Sequence, residues 1–467
     1  MSAGRSEDAA SYGRGAALLS ALIGVTGLLT YSFHSLAAHA LGRDGYGVIA
    51  VLWAAVFLVA SVIYRPVEQL LSRTLAERRA QGRPAGSAVR VAATIQFGLV
   101  LAFLAVALVL REPIEDELFS GSSTLYWGLV VAGAAYAASY FARGFLAGEQ
   151  RFGLYGGLVL MESASRVVFG VLLIAGVLEG RNAAAVAIAV APLLSLFVVP
   201  WALRRHVRRT AAAPPRGDPA EPEMTLAHGL GFAGAVLVIM VSEQAILNSG
   251  VLIVKAQTGD DALAALIFAV LMIARAPLQL FQAVSTTLLP HLTRLLVRDG
   301  EGGGGPEGAE GGGAPRGDFG RSVRLTVAAC LAFGGATVLG VLAVGPPVMR
   351  LLFGSEFDYD RLGLAMVAAG MGLYLSATTV NQAVLAQGRA RLAAACWAVT
   401  AVFFVGFLLL AGMEEVREVE VGFLASAGLL SVLLFVVYRR PVAGQLPIRP
   451  GSTEEMGVIL AAADEGS

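Results

Sequence analysis

Apolar residues fill the chain in twelve blocks, separated by short segments rich in arginine, glycine or acidic residues. A helix needs about 20 apolar residues to cross a bilayer. The blocks therefore predict twelve spanning helices, at 15–38, 48–69, 90–110, 125–145, 154–178, 183–203, 227–254, 262–290, 322–344, 362–385, 392–412 and 421–438. The first block is longer than the apolar core of a cleavable signal, so it is read as a retained helix. Two longer polar segments punctuate the pattern. Residues 204–226 are basic and then proline-rich, a linker between two six-helix lobes at 15–203 and 227–438. Residues 299–320 form a low-complexity glycine-rich loop, and tails are expected at 1–14 and 439–467.

Composition strengthens this reading. The chain is 56% hydrophobic and 15% charged, against about 25% charge in soluble proteins. Its 56 glycines suit close helix contact in lipid. A formal net charge of zero argues against a nucleic-acid partner. Lys255 is the one lysine. It stands at a helix end and no Gly-Lys-Ser/Thr occurs, so a Walker-type nucleotide site is excluded. Cys330 and Cys396 are isolated in separate apolar blocks and read as packed thiols, with no metal pattern.

Charge also orients the chain. With the N-terminus inside, twenty-five of thirty-three arginines fall in inner segments, and six arginines with Lys255 fall outside. That bias predicts both termini on the cytoplasmic side. The outer connections are acidic instead (Glu112–Glu117, Asp260-Asp261, Glu356–Asp360, Glu414–Glu420). They are short, and Asp44 is the one carboxylate in the first, which leaves little room for enzyme chemistry.

The exceptions to the pattern are ionisable residues inside the blocks, where a charge costs about 2.5–3.5 kcal/mol on insertion scales. Arg275 lies near the middle of the eighth block, with Gln279 and Gln282 at i+4 and i+7 on the same stripe. Arg65 and Glu68 lie near the inner end of the second, and Arg65 also suits snorkelling to lipid phosphates. Glu162 and Arg166 are four apart on the fifth and can neutralise each other. Glu243 with Gln244 and Asn248 makes a polar cluster in the seventh. Arg275 stands either toward a watery cavity or as the partner of Glu243. His34 reads as a hydrogen-bonded packing residue.

Weak internal similarity links the halves. Leu41-Gly42-Arg43-Asp44-Gly45-Tyr46-Gly47 and Thr258-Gly259-Asp260-Asp261-Ala262 precede the second and eighth helices; Phe145–Phe152 and Val384–Leu392 follow the fourth and tenth. Six-helix spacing suggests two parallel repeats. These stretches, with Leu70–Glu77, Leu288–Arg294 and Leu351–Phe357, resemble the oligosaccharide/polysaccharide flippases of the multidrug/oligosaccharidyl-lipid/polysaccharide exporter superfamily. Pro277 with Leu289-Pro290 also resembles the lipid II flippase branch. The resemblance covers roughly residues 15–440.

It implies an all-α membrane protein of twelve helices, with two pseudo-symmetric lobes in a V around a central cleft. It further implies a transporter without cofactor, carrying a polyprenyl-pyrophosphate-linked oligosaccharide from inner to outer leaflet. Membrane lipids surround it, and glycosyltransferases or a polysaccharide polymerase are the implied partners. On that reading Arg275, with Arg65 or Arg166 and the glutamines Gln279 and Gln282, holds the pyrophosphate and glycan. Glu243, Glu162, Glu68 and Asn248 are the coupling or charge-partner candidates. A cation-coupled drug or metabolite antiporter and a non-transporting envelope-synthesis scaffold are the other readings.

Overall fold

The computed structural model describes residues 2–80, 84, 86–198, 226–275 and 318–440. Gln279, Gln282, the linker up to 225 and the glycine-rich stretch up to 317 lie outside them. Every described element is helical. One helical stretch runs Ser2–Val59 but breaks at Gly42, whose φ of 66° and ψ of −178° place it where residues with a Cβ rarely go. We call the parts α1 (2–41) and α2 (43–80). The others are α3 (Gly86–Val109), α4 (Ser123–Gly148), α5 (Phe152–Ile174), α6 (Gly180–Ser195), α7 (Leu226–Thr258), α8 (261–275), α9 (Asp318–Phe353), α10 (Arg361–Ala386), α11 (Ala390–Leu410) and α12 (Glu415–Arg439). Each expected block thus coincides with a described helix, α8 being seen over its first half. Among the described residues, nine helical stretches are long and apolar enough to cross a membrane; the first, broken at Gly42, comprises both α1 and α2. The protein is a multi-pass membrane protein.

Local chemistry explains the irregularities. Pro66 lacks an N–H and cannot sit in a regular ladder; just before it, Ala60–Tyr64 widen to a π turn, with the Arg65 N–H bonded to Ala60 O. The bulge turns the rest of α2 so that Arg65 and Glu68 both point inward, at 3% and 7% exposure. Gly144 and Gly148, one turn apart on α4, let its backbone close on α2. A Cβ on Gly144 would meet Glu68 O at 2.7 Å, and one on Gly148 would meet Ser72 O at 2.9 Å. Small residues at this spacing suit close packing of helices in lipid.

The repeat has a backbone signature. After α4, Arg151 N–H donates to Leu146 O and Gln150 N–H to Ala147 O. After α10, Arg389 N–H donates to Val384 O and Gly388 N–H to Leu385 O. Both ends are the same 6→1, 5→2 cap, with Gln150 and Gly388 in the left-handed region.

The chain forms two compact units. Unit 1 comprises the described parts of Met1–Met224 with Val251–Phe268 and Leu352–Phe357; unit 2 comprises those of Thr225–Gly250, Ala269–Leu351 and Asp358–Ser467. In unit 1, α1 and α2 pack on α5, α2 on α4, and α6 on α4 and α5. In unit 2, α12 packs on α10 and α11. There α9 crosses α10 at Gly334 and Gly372, where a Cβ on Gly334 would meet Gly372 Cα at 2.7 Å. Cys330 and Cys396 are both buried thiols, as expected.

Candidate functional site

Two polar assemblies lie within the membrane-spanning helices, one in each unit. In unit 1 the central group is Glu162 on α5, at 2% exposure. Its Oε2 accepts from Arg143 at 2.6 Å; its Oε1 accepts from Arg166 at 3.0 Å and from the Tyr136 hydroxyl at 2.7 Å. Arg166 also donates to Ser163 at 3.0 Å and lies 4.8 Å over the Trp53 ring. Arg143 stacks 4.7 Å over Tyr140. One layer away, the Tyr155 hydroxyl donates to Glu68 Oε1 at 3.0 Å, with Arg65 on the same stretch of α2. The close approach at Gly144 sets Arg143 and Glu68 into neighbouring layers. Three guanidiniums and two carboxylates are thereby enclosed together, each at 7% exposure or less.

Glu162 and Arg166 do pair, as their i,i+4 spacing predicts. What sequence reading missed is the third member. Arg143 is counted above among the cytoplasmic arginines, yet it is buried and ion-paired. The miss has a physical origin, because Arg143 lies five residues from the end of α4, where a hydropathy window already ends. The signal was the spacing of Tyr136, Tyr140 and Arg143 at i, i+4 and i+7, which puts two hydroxyls and a guanidinium on one face.

In unit 2, Glu243 on α7 is half-buried and its Oε1 accepts from the Tyr374 hydroxyl on α10 at 2.9 Å. Among the described residues no ion pair joins Glu243 to Arg275. Tyr374 itself rests edge-on against Trp397, which donates from Nε1 to Asn381 Oδ1 at 3.1 Å. Asn248 is buried and donates to Gln244 Oε1 at 2.9 Å within α7. Arg275 is half-buried near the end of the described part of α8. The structure therefore places Arg65, Glu68, Glu162 and Arg166 together in unit 1, and Glu243, Asn248 and Arg275 in unit 2. Gln279 and Gln282 lie outside the described residues. No group of three or more His, Cys, Asp or Glu side chains suited to a metal occurs among the described residues.

With this geometry, the class of fold is that of the MATE transporters. A mutant form of the Vibrio cholerae MATE transporter VcmN superposes with a TM-score of 0.61 at 15% identity, covering 92% of this chain and 96% of that one. An outward-facing multidrug resistance MATE family transporter of the MOP superfamily gives 0.56 at 15% identity, over 92% and 95%. The lipid II flippase MurJ, in an inward closed conformation, shares the fold as well, with a TM-score of 0.64 at 12% identity over 91% and 88%. In sequence, the chain is 27% identical over 411 residues to uncharacterised proteins of Mycobacterium tuberculosis and Mycobacterium bovis, covering 85% of each chain. No family model matches it.

Proposed function

We propose that this protein is a flippase that moves a polyprenyl-pyrophosphate-linked oligosaccharide from the inner to the outer leaflet, by alternating access, for cell-surface polysaccharide synthesis. The observation that carries the reading is the different state of the membrane-embedded charges. Those of unit 1 are enclosed and gathered around the Glu162 ion pairs, whereas Arg275 and Glu243 are half-buried. A charge held in a span without full enclosure calls for water or a polar cargo. A guanidinium suits a pyrophosphate because its planar fork makes bidentate, charge-assisted bonds.

On this proposal Arg275 holds the pyrophosphate and Gln279 and Gln282 extend the polar stripe to the sugars; Arg65, enclosed at 3% exposure, meets the headgroup in a state that opens the inner end of α2. Arg166 and Arg143, with Glu162, brace the unit that carries Arg65 and Glu68. Glu243 with Tyr374 takes the coupling cation or proton; the membrane potential, worth roughly 2.3 kcal/mol per charge per 100 mV, is the other source of drive. The arginine bias supports a reading with both termini on the cytoplasmic side of the inner membrane. A lipid II cargo is the second reading, favoured by the likeness in fold to MurJ.

The test is transport in liposomes with purified protein. Fluorescent polyprenyl-pyrophosphate glycans of two kinds, an oligosaccharide repeat unit and lipid II, are offered beside a cationic drug. Translocation of the oligosaccharide lipid, reduced at least tenfold by Arg275→Ala, supports the reading. Movement of lipid II alone selects the second reading. Movement of the drug alone overturns both in favour of an antiporter.

A further inference from the structure

The single lysine of the chain is its least expected side chain. Lys255 lies in the last turn of α7 and is 0% exposed. Its Nζ donates to Ser120 Oγ at 2.8 Å and to Gly259 O at 2.7 Å, and sits 2.7 Å from Asp261 Oδ1. One ammonium, with its three donors, thus joins the α3–α4 connection to the α7–α8 turn. Beside it, Arg43 makes a second tie: its backbone N–H donates to Glu356 Oε2 at 2.9 Å and its Nε to Ala262 O at 3.1 Å. Glycines make this approach possible. Gly42 takes φ +66° at the α1–α2 break, and a Cβ on Gly47 would lie 1.7 Å from Asp261 O.

Beneath the two ties is an aromatic layer. Tyr46 lies 6.2 Å from Phe268, 6.0 Å from Phe353 and 5.8 Å from Phe357, and its hydroxyl is 3.0 Å from His34 Nδ1. All of these residues are fully buried or nearly so. They belong to unit 1, although Val251–Phe268 and Leu352–Phe357 are the ends of α7, α8 and α9, whose remaining described lengths belong to unit 2. The ends of three helices have therefore been captured by the α1–α2 break and the α3–α4 connection.

We propose that Lys255 and Arg43 are the two bolts of an outer lock, which closes the aromatic layer during loading and has to release for the headgroup to leave. The idea rests on the flippase reading for its direction of transport, while the lock itself rests on bonds that join separate parts of the chain. Each bolt is built to be reversible. It consists of two or three polar contacts at connections between helices, and water can replace each of them once the ends part. The glycines at 42 and 47 add no side chain that would hold the surfaces apart.

The experiment uses the full chain with Cys330 and Cys396 replaced by alanine, and Phe268→Cys as reporter. A membrane-impermeant maleimide is applied from the outer side in proteoliposomes. We expect slow labelling of the reporter alone and at least tenfold faster labelling with Lys255→Met or with the wedge Gly47→Val; Lys255→Arg should restore slow labelling. Unchanged labelling in both opened variants overturns the lock. A second arm bridges Arg43→Cys and Glu356→Cys with a short bismaleimide; loss of transport on bridging supports the lock and full transport in bridged protein overturns it. Labelling requires no substrate. If it responds as expected while no lipid-linked glycan moves, the lock stands and the proposed cargo falls.

Discussion

Arg143 on α4 donates to Glu162 on α5 at 2.6 Å, and this bond leaves the carboxylate shared between two guanidiniums, since Arg166 holds its other oxygen. Taking such charges from water costs several kcal/mol each, and mutual attraction repays it only while all partners are present. Glu162→Gln is therefore expected to destabilise the detergent-solubilised protein by about 3–5 kcal/mol, the range for breaking a buried pair. Thermal unfolding checks this. Adding Arg143→Met to Glu162→Gln should recover part of the loss, because one stranded charge is then removed.

Gly144 makes a sharper packing test. A Cβ there would press on the Glu68 backbone, which cannot rotate away as a side chain can. Gly144→Ala should cost about 1–3 kcal/mol, the usual range for overpacking. Gly157 on α5 is the control, since nothing lies within 4 Å of its Cβ position. There alanine should be neutral or gain up to about 1 kcal/mol from helix propensity. Equal losses at both positions in a thermal-shift series would refute the close approach of α2 and α4.

The spans were readable in the sequence because lipid demands a continuous apolar length, which hydropathy reports directly. The Leu41–Gly47 turn was readable for a similar reason, as Gly42 is the residue that can adopt its backbone. The matching caps after α4 and α10 were half-legible: the arginines were seen, but Gln150 in the left-handed position does not advertise itself as Gly388 does. The site was harder. Tyr374 lies 131 residues from Glu243, and no local pattern announces a contact of that kind. Lys255 was placed at an outer helix end, a position that says nothing of its burial. Its burial depends on Ser120 and Asp261, which arrive from other connections. The π turn before Pro66 is in principle readable from the proline, yet its effect on Arg65 and Glu68 is a rotation that only the folded helix displays.

A pH effect is expected at Asp360, the N-cap of α10, whose carboxylate accepts from the Gly363 N–H at 3.3 Å. Burial pushes this carboxyl up, but the Gly363 and Leu362 N–H groups and the Arg417 guanidinium outweigh it and hold it below its ordinary value. A lowered folded pKa means that the group stabilises the fold above its unfolded pKa, near 3.9. That contribution fades as pH falls through the folded value. Asp360→Ala should lower stability by about 1 kcal/mol at pH 7, as lost caps do. The gap from wild type should narrow once pH falls below the unfolded pKa. Melting curves on either side of that pKa decide it, and a gap that widens in acid would reverse the sign assigned here.

Glu243 separates a coupling role from a packing role most cleanly, because among the described residues its hydrogen bond comes from Tyr374. Suppose the carboxylate only anchors that hydroxyl. Then Glu243→Gln, which keeps an acceptor at the same place, should preserve transport and its dependence on an imposed cation or proton gradient. Tyr374→Phe should then do the greater harm to stability, since it strands the carboxylate, and a hydrogen bond to a charged group is worth about 1.5–3 kcal/mol. If Glu243 binds the coupling ion, the order is inverted. Glu243→Gln then abolishes the response to the gradient while downhill movement of the cargo persists, and Tyr374→Phe merely shifts the ion concentration for half-maximal rate by about tenfold, one lost bond of roughly 1.4 kcal/mol. We expect the second pattern, measured as initial transport rates in proteoliposomes with and without the gradient. Full gradient dependence in Glu243→Gln would remove Glu243 from the coupling machinery and leave the membrane potential as the drive.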